Sequence, residues 1–432
     1  LSARRVGRKP DSIARRPALM NQTVRGRFSS ATRGKLFILI VTNFVDMVGL
    51  LMILPLLPYY ADELGGGGIE VALLVSSFTA AQLISAPLWG RFSDRHGRKP
   101  ALLVGLAAAA IAYVVFAFAT SLWLLLLSRI VQGAGGGTVG VIQAYVADST
   151  EPQNRAKALG WLSAATNLGV ALGPPLGSLA LLLGRPGPGL VAAALCVMNI
   201  AFASRFLRES RDMTEAAVKR PGASRHAIMR VVTHSGEPAP RLIWIYAIAM
   251  GAFSGMTAIL ALFLLDEWAV GPDRIWMVFT YLGVISVITR AGILGTLVDR
   301  FGEVRLSRIG LILLAIGLGS IPFARHYVLL ALAIALVPLG TAFTFPCVTS
   351  LLSRLIPSNE RGLYMGVQQT FGGLARVIVP LWAGFAYDQL GHGVPFYTSA
   401  LLIGGTIFLG FGIDAGGGTK VAAAAPAVEP AA

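Results

Sequence analysis

Twelve long apolar stretches, parted by short polar turns, restrict this chain more than any single motif does. They run over residues 36–60, 70–90, 101–120, 122–147, 158–183, 189–207, 242–265, 275–297, 306–324, 327–352, 363–386 and 394–413. Each is close to the ~20 residues that carry a helix across a bilayer. Only 13% of the chain is charged and 55% is hydrophobic, against about 25% charged in a soluble domain. That polar surface is too small for water. The chain is read as an all-α integral membrane protein with twelve transmembrane helices, its partner the lipid bilayer.

The formal net charge of +15 raises nucleic acid as a partner, but the cations are badly placed for a polyanion. All but six of the 36 Lys and Arg fall in segments on one side of the spans. Arg185, Arg274 and Arg325 lie on the other side, and Arg129, Arg290 and Arg376 lie within spans. Basicity of this kind reports topology: the basic side is cytosolic. An even number of spans puts both termini there. No nucleic-acid role follows.

Residues 1–35 carry ten cations and one acid, Asp11, and read as a disordered cytosolic tail. Met20 is an alternative start, and a transit peptide is the competing reading of this segment. Residues 36–207 and 242–414 hold six spans each, joined by a cytosolic linker, 208–241. Residues 415–432 are mostly Gly, Ala and Pro and read as a flexible tail. Cys196 and Cys347 both sit in apolar runs, so neither a disulfide framework nor a metal site is implied. No cofactor motif is present in the sequence, and an enzyme is not expected.

The stretch Gly90–Pro100 lies between the apolar runs Val71–Trp89 and Ala101–Ala119. It is expected to be a tight basic turn, with Gly97 at positive φ and Pro100 opening the next helix. Gly90, Asp94, Arg95 and Gly97 recur 205 residues later as Gly295, Asp299, Arg300 and Gly302. Four identities at one offset, again between apolar runs, indicate an internal duplication.

Two sets of six spans with a duplicated turn and a central linker resemble the major facilitator superfamily, over about residues 36–414. The resemblance implies two pseudo-symmetric six-helix bundles that rock about a central cavity. It also implies that Asp94, Arg98 and Asp148 form a gating cluster. In the second copy Glu303 replaces Arg98, and Arg354 stands where Asp148 leads one to look, so the complementary cluster would be Asp299, Glu303 and Arg354. Arg129-Ile130-Val131-Gln132-Gly133 resembles the family's helix 4 motif; Arg129 is expected to face the cavity or to pair with backbone and an acid. Gly133, Gly135, Gly136 and Gly137 read as close helix packing. Gly169, Gly173, Pro174, Pro175 and Gly177 match the family's antiporter motif, with Ser178 in place of a common glycine; the prolines are expected to kink the helix.

The first span, with Asn43, Asp46, Gly49, Pro55 and Pro58, resembles that of drug:proton antiporters of the tetracycline-resistance type. Asp46 is the one acid deep inside any span, about 15 Å along its helix. A carboxylate there is tolerated protonated and is costly as an anion, which suits a coupling site for protons. Arg290 and Arg376 face no buried acid in their own half, and the C-terminal acid of tetracycline pumps has no counterpart. Gln143, Gln368, Gln369, Trp161, Trp382, Phe343 and Phe345 complete the candidate contacts.

The expected function is a monomeric secondary transporter in the cell membrane, exporting amphipathic small molecules or drugs against an inward flow of protons. Two alternatives stay open. One is an exporter or exchanger of organic anions using Arg290 and Arg376. The other is a membrane receptor or scaffold that no longer transports.

Overall fold

The computed structural model describes residues 30–151, 154–209, 223–357 and 360–410. Most of the basic tail, the middle of the linker and residues 415–432 lie outside the described residues. All regular structure within them is helical. The N-terminal half contains Ser30–Ile53 (α1), Leu57–Asp62 (α2), Gly68–His96 (α3), Arg98–Ala117 (α4), Leu122–Gly135 (α5), Thr138–Ser149 (α6), Arg155–Ala180 (α7) and Gly187–Phe206 (α8). Ala223–Thr233 (α9) lies in the linker. The C-terminal half contains Pro238–Trp268 (α10), Ile275–Ile288 (α11), Leu294–Ser320 (α12), Tyr327–Leu355 (α13), Arg361–Leu390 (α14) and Val394–Leu409 (α15).

Nine helical segments among the described residues are long and apolar enough to cross a membrane. One of them, Ile275–Phe323, is 49 residues long. It is interrupted by Gly302 at φ 76° and ψ 159°, so it comprises two rods. Helix α14 and the shorter α15 fall at the two remaining expected segments but are not among those nine. Large apolar side chains stay on the outside, among them Ile84, Trp123, Leu182, Leu401 and Phe408. In a bilayer these face acyl chains, which are as apolar as they are.

Three expectations need correction. The stretch Gly90–Pro100 is not a loop. Helix α3 continues to His96 and α4 starts at Arg98, leaving Gly97 alone between them at φ 98° and ψ 162°. That region is essentially open to glycine only, so one residue suffices to redirect the chain. Pro100 falls in the first turn of α4, where its missing N–H has no intrahelical partner to lose. The fourth span is two helices, α5 and α6, parted at Gly136 and Gly137. The first span likewise passes through a 3-10 turn at Leu54–Leu56 before α2, since Pro55 and Pro58 remove two backbone donors. The linker, finally, is not merely a connection. Helix α9 packs on α14, and Trp244 of α10 donates to the Val231 carbonyl at 3.3 Å.

Two seams join the halves, α3 along α14 and α7 along α11. At the first, a Cβ on Gly68 would lie 3.1 Å from the Gly384 carbonyl oxygen. Only glycine lets these backbones approach so closely.

Candidate functional site

A cavity of about 980 Å³ lies between the halves. It runs from Met47, Leu50 and Thr79, midway along α1 and α3, to Gly90 and Arg98 at the end that carries the linker. The opposite end is shut. There Asp388, near the end of α14, accepts from the Gly68 and Ile69 amides at 2.8 and 2.7 Å. This places a carboxylate on the N-terminus of α3, where the first amides have no intrahelical acceptor. Tyr59 donates to the Val270 carbonyl at 2.8 Å, and Ser178 to the Pro272 carbonyl at 3.0 Å. All four contacts cross from one half to the other.

Asp46 lines a small side cavity of about 30 Å³ together with Tyr113, Gln132 and Gln82. Met47, Gln82 and Gly136 border both this space and the large cavity. Gln132 Nε2 donates to the Tyr113 hydroxyl at 2.7 Å, while Gln132 Oε1 is buried with no partner. The Asp46 carboxylate forms no hydrogen bond or ion pair among the described residues. The break at Gly136 and Gly137 has a use here. It frees the Gly136 carbonyl, which accepts from Gln82 Nε2 at 3.0 Å.

Arg129 is only 2% exposed. Its guanidinium lies 5.2 Å from the centre of the Phe116 ring, and its Nε and Nη2 have no hydrogen-bond partner. It borders a third cavity, of about 120 Å³, with Leu54, Thr79, Ser254 and Thr257. The expected acid partner is absent among the described residues. A cation facing an aromatic ring in a dry setting is partly compensated by the ring quadrupole.

The C-terminal wall of the large cavity is cationic. Arg376 and Gln369 line it, and Gln369 Nε2 donates to the Tyr246 hydroxyl at 3.3 Å. Arg290 sits in a π-helical turn, Thr289–Ile293, that joins α11 to α12. Its Nε donates to Ser286 Oγ at 3.1 Å. Both guanidiniums lie within electrostatic reach of Tyr246.

At the linker end of the N-terminal half, Arg98 is the hub of a compact cluster. It bonds Asp148 through Nε at 2.9 Å, Asp94 through Nη1 at 3.2 Å and Ser93 Oγ at 2.8 Å. Arg95, next to it, is exposed. All members of the cluster belong to one half. In the second copy Glu303 accepts from Arg354 at 2.9 Å and from Ser350 at 2.7 Å. The expected third member, Asp299, is exposed and joins no ion pair among the described residues. It lies on the last turn before Gly302, and the complementary cluster has two charges rather than three among the described residues.

The antiporter-type glycines set α7 against α1. A Cβ on Gly169 would lie 3.1 Å from the Phe44 carbonyl oxygen, and one on Gly173 3.0 Å from that of Val48; Gly177 meets the Met52 backbone. Helix α7 continues through Pro174 and Pro175. Of the other candidates, Gln143 lines the large cavity, and Phe345 packs on Tyr246 with ring centres 5.4 Å apart. Trp161 and Trp382 are exposed, while Phe343 and Gln368 are buried.

Sequence reasoning missed Glu209, Asp388, Tyr113 and Tyr246. Glu209 accepts from the Arg98 and Lys99 amides at 2.9 and 3.0 Å, capping α4 from the end of α8. Acids just outside apolar runs, where helix N-termini gather, were the available signal for Glu209 and Asp388. The two tyrosines had none, since each lies in an apolar run and its hydroxyl finds its partner on another helix.

The family profile described as Major Facilitator Superfamily matches residues 39–380 and, in a second match, 242–426. The chain is 26% identical over 381 residues to Multidrug resistance protein 2 of Bacillus subtilis (strain 168), covering 88% of this chain and 94% of that protein. It is 25% identical over 374 residues to the class B tetracycline resistance protein of Escherichia coli, covering 86% and 92%. Among solved structures, the human organic anion transporter MFSD10 (TETRAN) superposes with a TM-score of 0.67 at 25% identity, covering 88% of this chain and all of that one.

Proposed function

The chain belongs to the major facilitator superfamily, and from that premise we propose that it is a proton-coupled antiporter exporting amphipathic small molecules by alternating access. Membership makes it a multi-span membrane transporter and not an enzyme. Relatives named for multidrug and tetracycline resistance support export of small molecules. One observation carries the coupling: Asp46 lies beside the cavity, away from bulk water, with no cation bonded to it among the described residues.

A lone carboxylate in that setting favours protonation when the cavity is empty, and favours the anion when a cationic or hydrogen-bonding substrate arrives. Proton and substrate then lower each other's affinity by one common factor, which is sufficient for exchange. Rocking would break the Asp388, Tyr59 and Ser178 contacts and open the cavity on their side. On this reading the linker end and both termini face the cytosol, and the protein works as a monomer. The Asp94–Arg98–Asp148 cluster lies within one half. It would therefore bias the equilibrium by stiffening the α3–α4 turn against whatever that turn meets in the other state.

Transport in proteoliposomes under an imposed pH gradient tests the coupling, with a panel of cationic, neutral and anionic amphipaths. Asp46→Asn is expected to abolish pH-driven accumulation and substrate-induced proton release. Asp46→Glu should keep some activity with a shifted pH dependence. If Asp46→Asn still concentrates substrate using the pH gradient, Asp46 is not the coupling site.

A second reading, an exporter or exchanger of organic anions, is favoured by Arg376 on the cavity wall and by the likeness to a solved organic anion transporter.

A further inference from the structure

Arg376 and Arg290 lie in the interior of the C-terminal half, and no carboxylate pairs with either among the described residues. Arg376 faces the cavity of about 980 Å³, and its Nε is buried without a hydrogen-bond partner. Arg290 has one bond, to a neutral hydroxyl, Ser286 Oγ at 3.1 Å. Arginines with a structural task in this protein look different. Arg185, although its Nη2 is also buried without a partner, is held by Glu63 at 2.9 Å and by the Ala119 carbonyl at 2.7 Å, and Arg98 by two carboxylates.

A half-buried guanidinium with one donor left unpartnered is under-compensated, and a second positive charge within reach of the same tyrosine adds to the cost. Both arginines lie within electrostatic reach of Tyr246, whose hydroxyl is held in place by Gln369. An anion at that point would offset the charge of Arg376 directly and that of Arg290 at longer range. A planar fork of N–H donors matches a carboxylate or sulfonate best. Across the cavity, Leu50, Phe78 and Leu83 offer an apolar wall to the rest of such a molecule.

We infer that the C-terminal wall of the cavity is an anion subsite, in which Arg376 binds the carboxylate or sulfonate of an amphipathic substrate. Arg290 supplies the second positive charge from behind, and Gln369 orients Tyr246 between them. The inference rests on the large cavity being the substrate path and narrows the substrate to molecules that join an anionic head to an apolar body.

Calorimetry on the purified full-length protein in neutral detergent, at one fixed pH, tests it with three probes sharing an aromatic body: naphthoate, naphthamide and naphthylmethylammonium. Naphthoate is expected to bind about tenfold more tightly than naphthamide. Arg376→Gln should erase that preference and leave naphthamide affinity unchanged. Arg376→Lys, which keeps the charge but loses the fork, should retain part of it. Arg290→Gln should weaken naphthoate by a smaller factor. Equal or tighter binding of the amide or the ammonium to the wild-type protein overturns the proposal. So does a failure of all three to bind, a naphthoate preference that survives Arg376→Gln, or an equal loss for both probes in that variant. No pH gradient enters the measurement, so the result stands apart from the Asp46 transport assay. Failure of proton coupling leaves this subsite intact, and failure here leaves the coupling intact.

Discussion

Gly97 and Gly302 occupy the same place in the two copies of the duplicated turn, and their backbones agree: φ 98° and ψ 162° in the first, φ 76° and ψ 159° in the second. The surroundings do not. Around Gly97, Glu209 caps the following helix, and Arg98 gathers Asp94, Asp148 and Ser93. Around Gly302 a Cβ would meet nothing within 4 Å, and one ion pair, Glu303 with Arg354, remains. The same division runs through the interior. The N-terminal half holds an acid, Asp46, beside the cavity, whereas the C-terminal half presents Arg376 and Arg290. Duplication has kept the backbone device that only glycine permits and left the charges free to diverge into separate tasks.

The largest expected effect tests the turns. Gly97→Ala should lower stability by about 3 kcal/mol, from backbone strain together with displacement of the Glu209 cap. A Cβ there would lie 2.8 Å from the Glu209 carboxyl carbon. Gly302→Ala should lose the strain part alone, about 2 kcal/mol. Thermal unfolding in detergent reads both. Equal losses would mean that the Glu209 cap adds nothing and that the two turns are energetically alike.

A smaller difference separates the charge clusters. Arg98 is 12% exposed and has three partners, whereas Arg354 is 66% exposed. Arg98→Ala should cost about 2 kcal/mol. Arg354→Ala should cost about 1 kcal/mol or less, because Ser350 still donates to Glu303. A larger loss at Arg354 would reverse the ranking of the two clusters. The smallest expected effect on stability is that of Asp94→Asn, which leaves the Arg98–Asp148 pair in place. Its signature should be kinetic, a slower turnover with substrate affinity kept, read as initial rates across substrate concentrations. A wild-type rate would reduce the first cluster to a stabiliser of the turn.

Much of this architecture was legible in the order of residues. Hydrophobic length marked the spans, and the offset between Gly90 and Gly295 marked the duplication. Isolated charges in apolar runs marked Asp46, Arg129, Arg290 and Arg376, because ionised groups rarely enter a membrane without a task. Helix ends were less legible. The helical pattern continues through Gly90–His96, where charge and glycine suggested a loop. Conversely, it breaks at Gly136, inside a run whose hydrophobicity suggested one uninterrupted span.

By itself, then, the sequence determined that the chain crosses a bilayer repeatedly, that its halves are related, and which few ionised groups lie within the spans. These properties are local: they depend on the length and composition of single segments and on spacing along the chain. Tertiary structure alone decided which groups meet. Asp148 met Arg98 from another helix, Asp299 was left outside its cluster, and Asp388 closed one end by reaching the amides of Gly68 and Ile69. Each of these contacts joins residues brought together by helix packing, and packing depends on side-chain volume and close backbone approach between distant segments. No periodicity along one helix records what will stand opposite it.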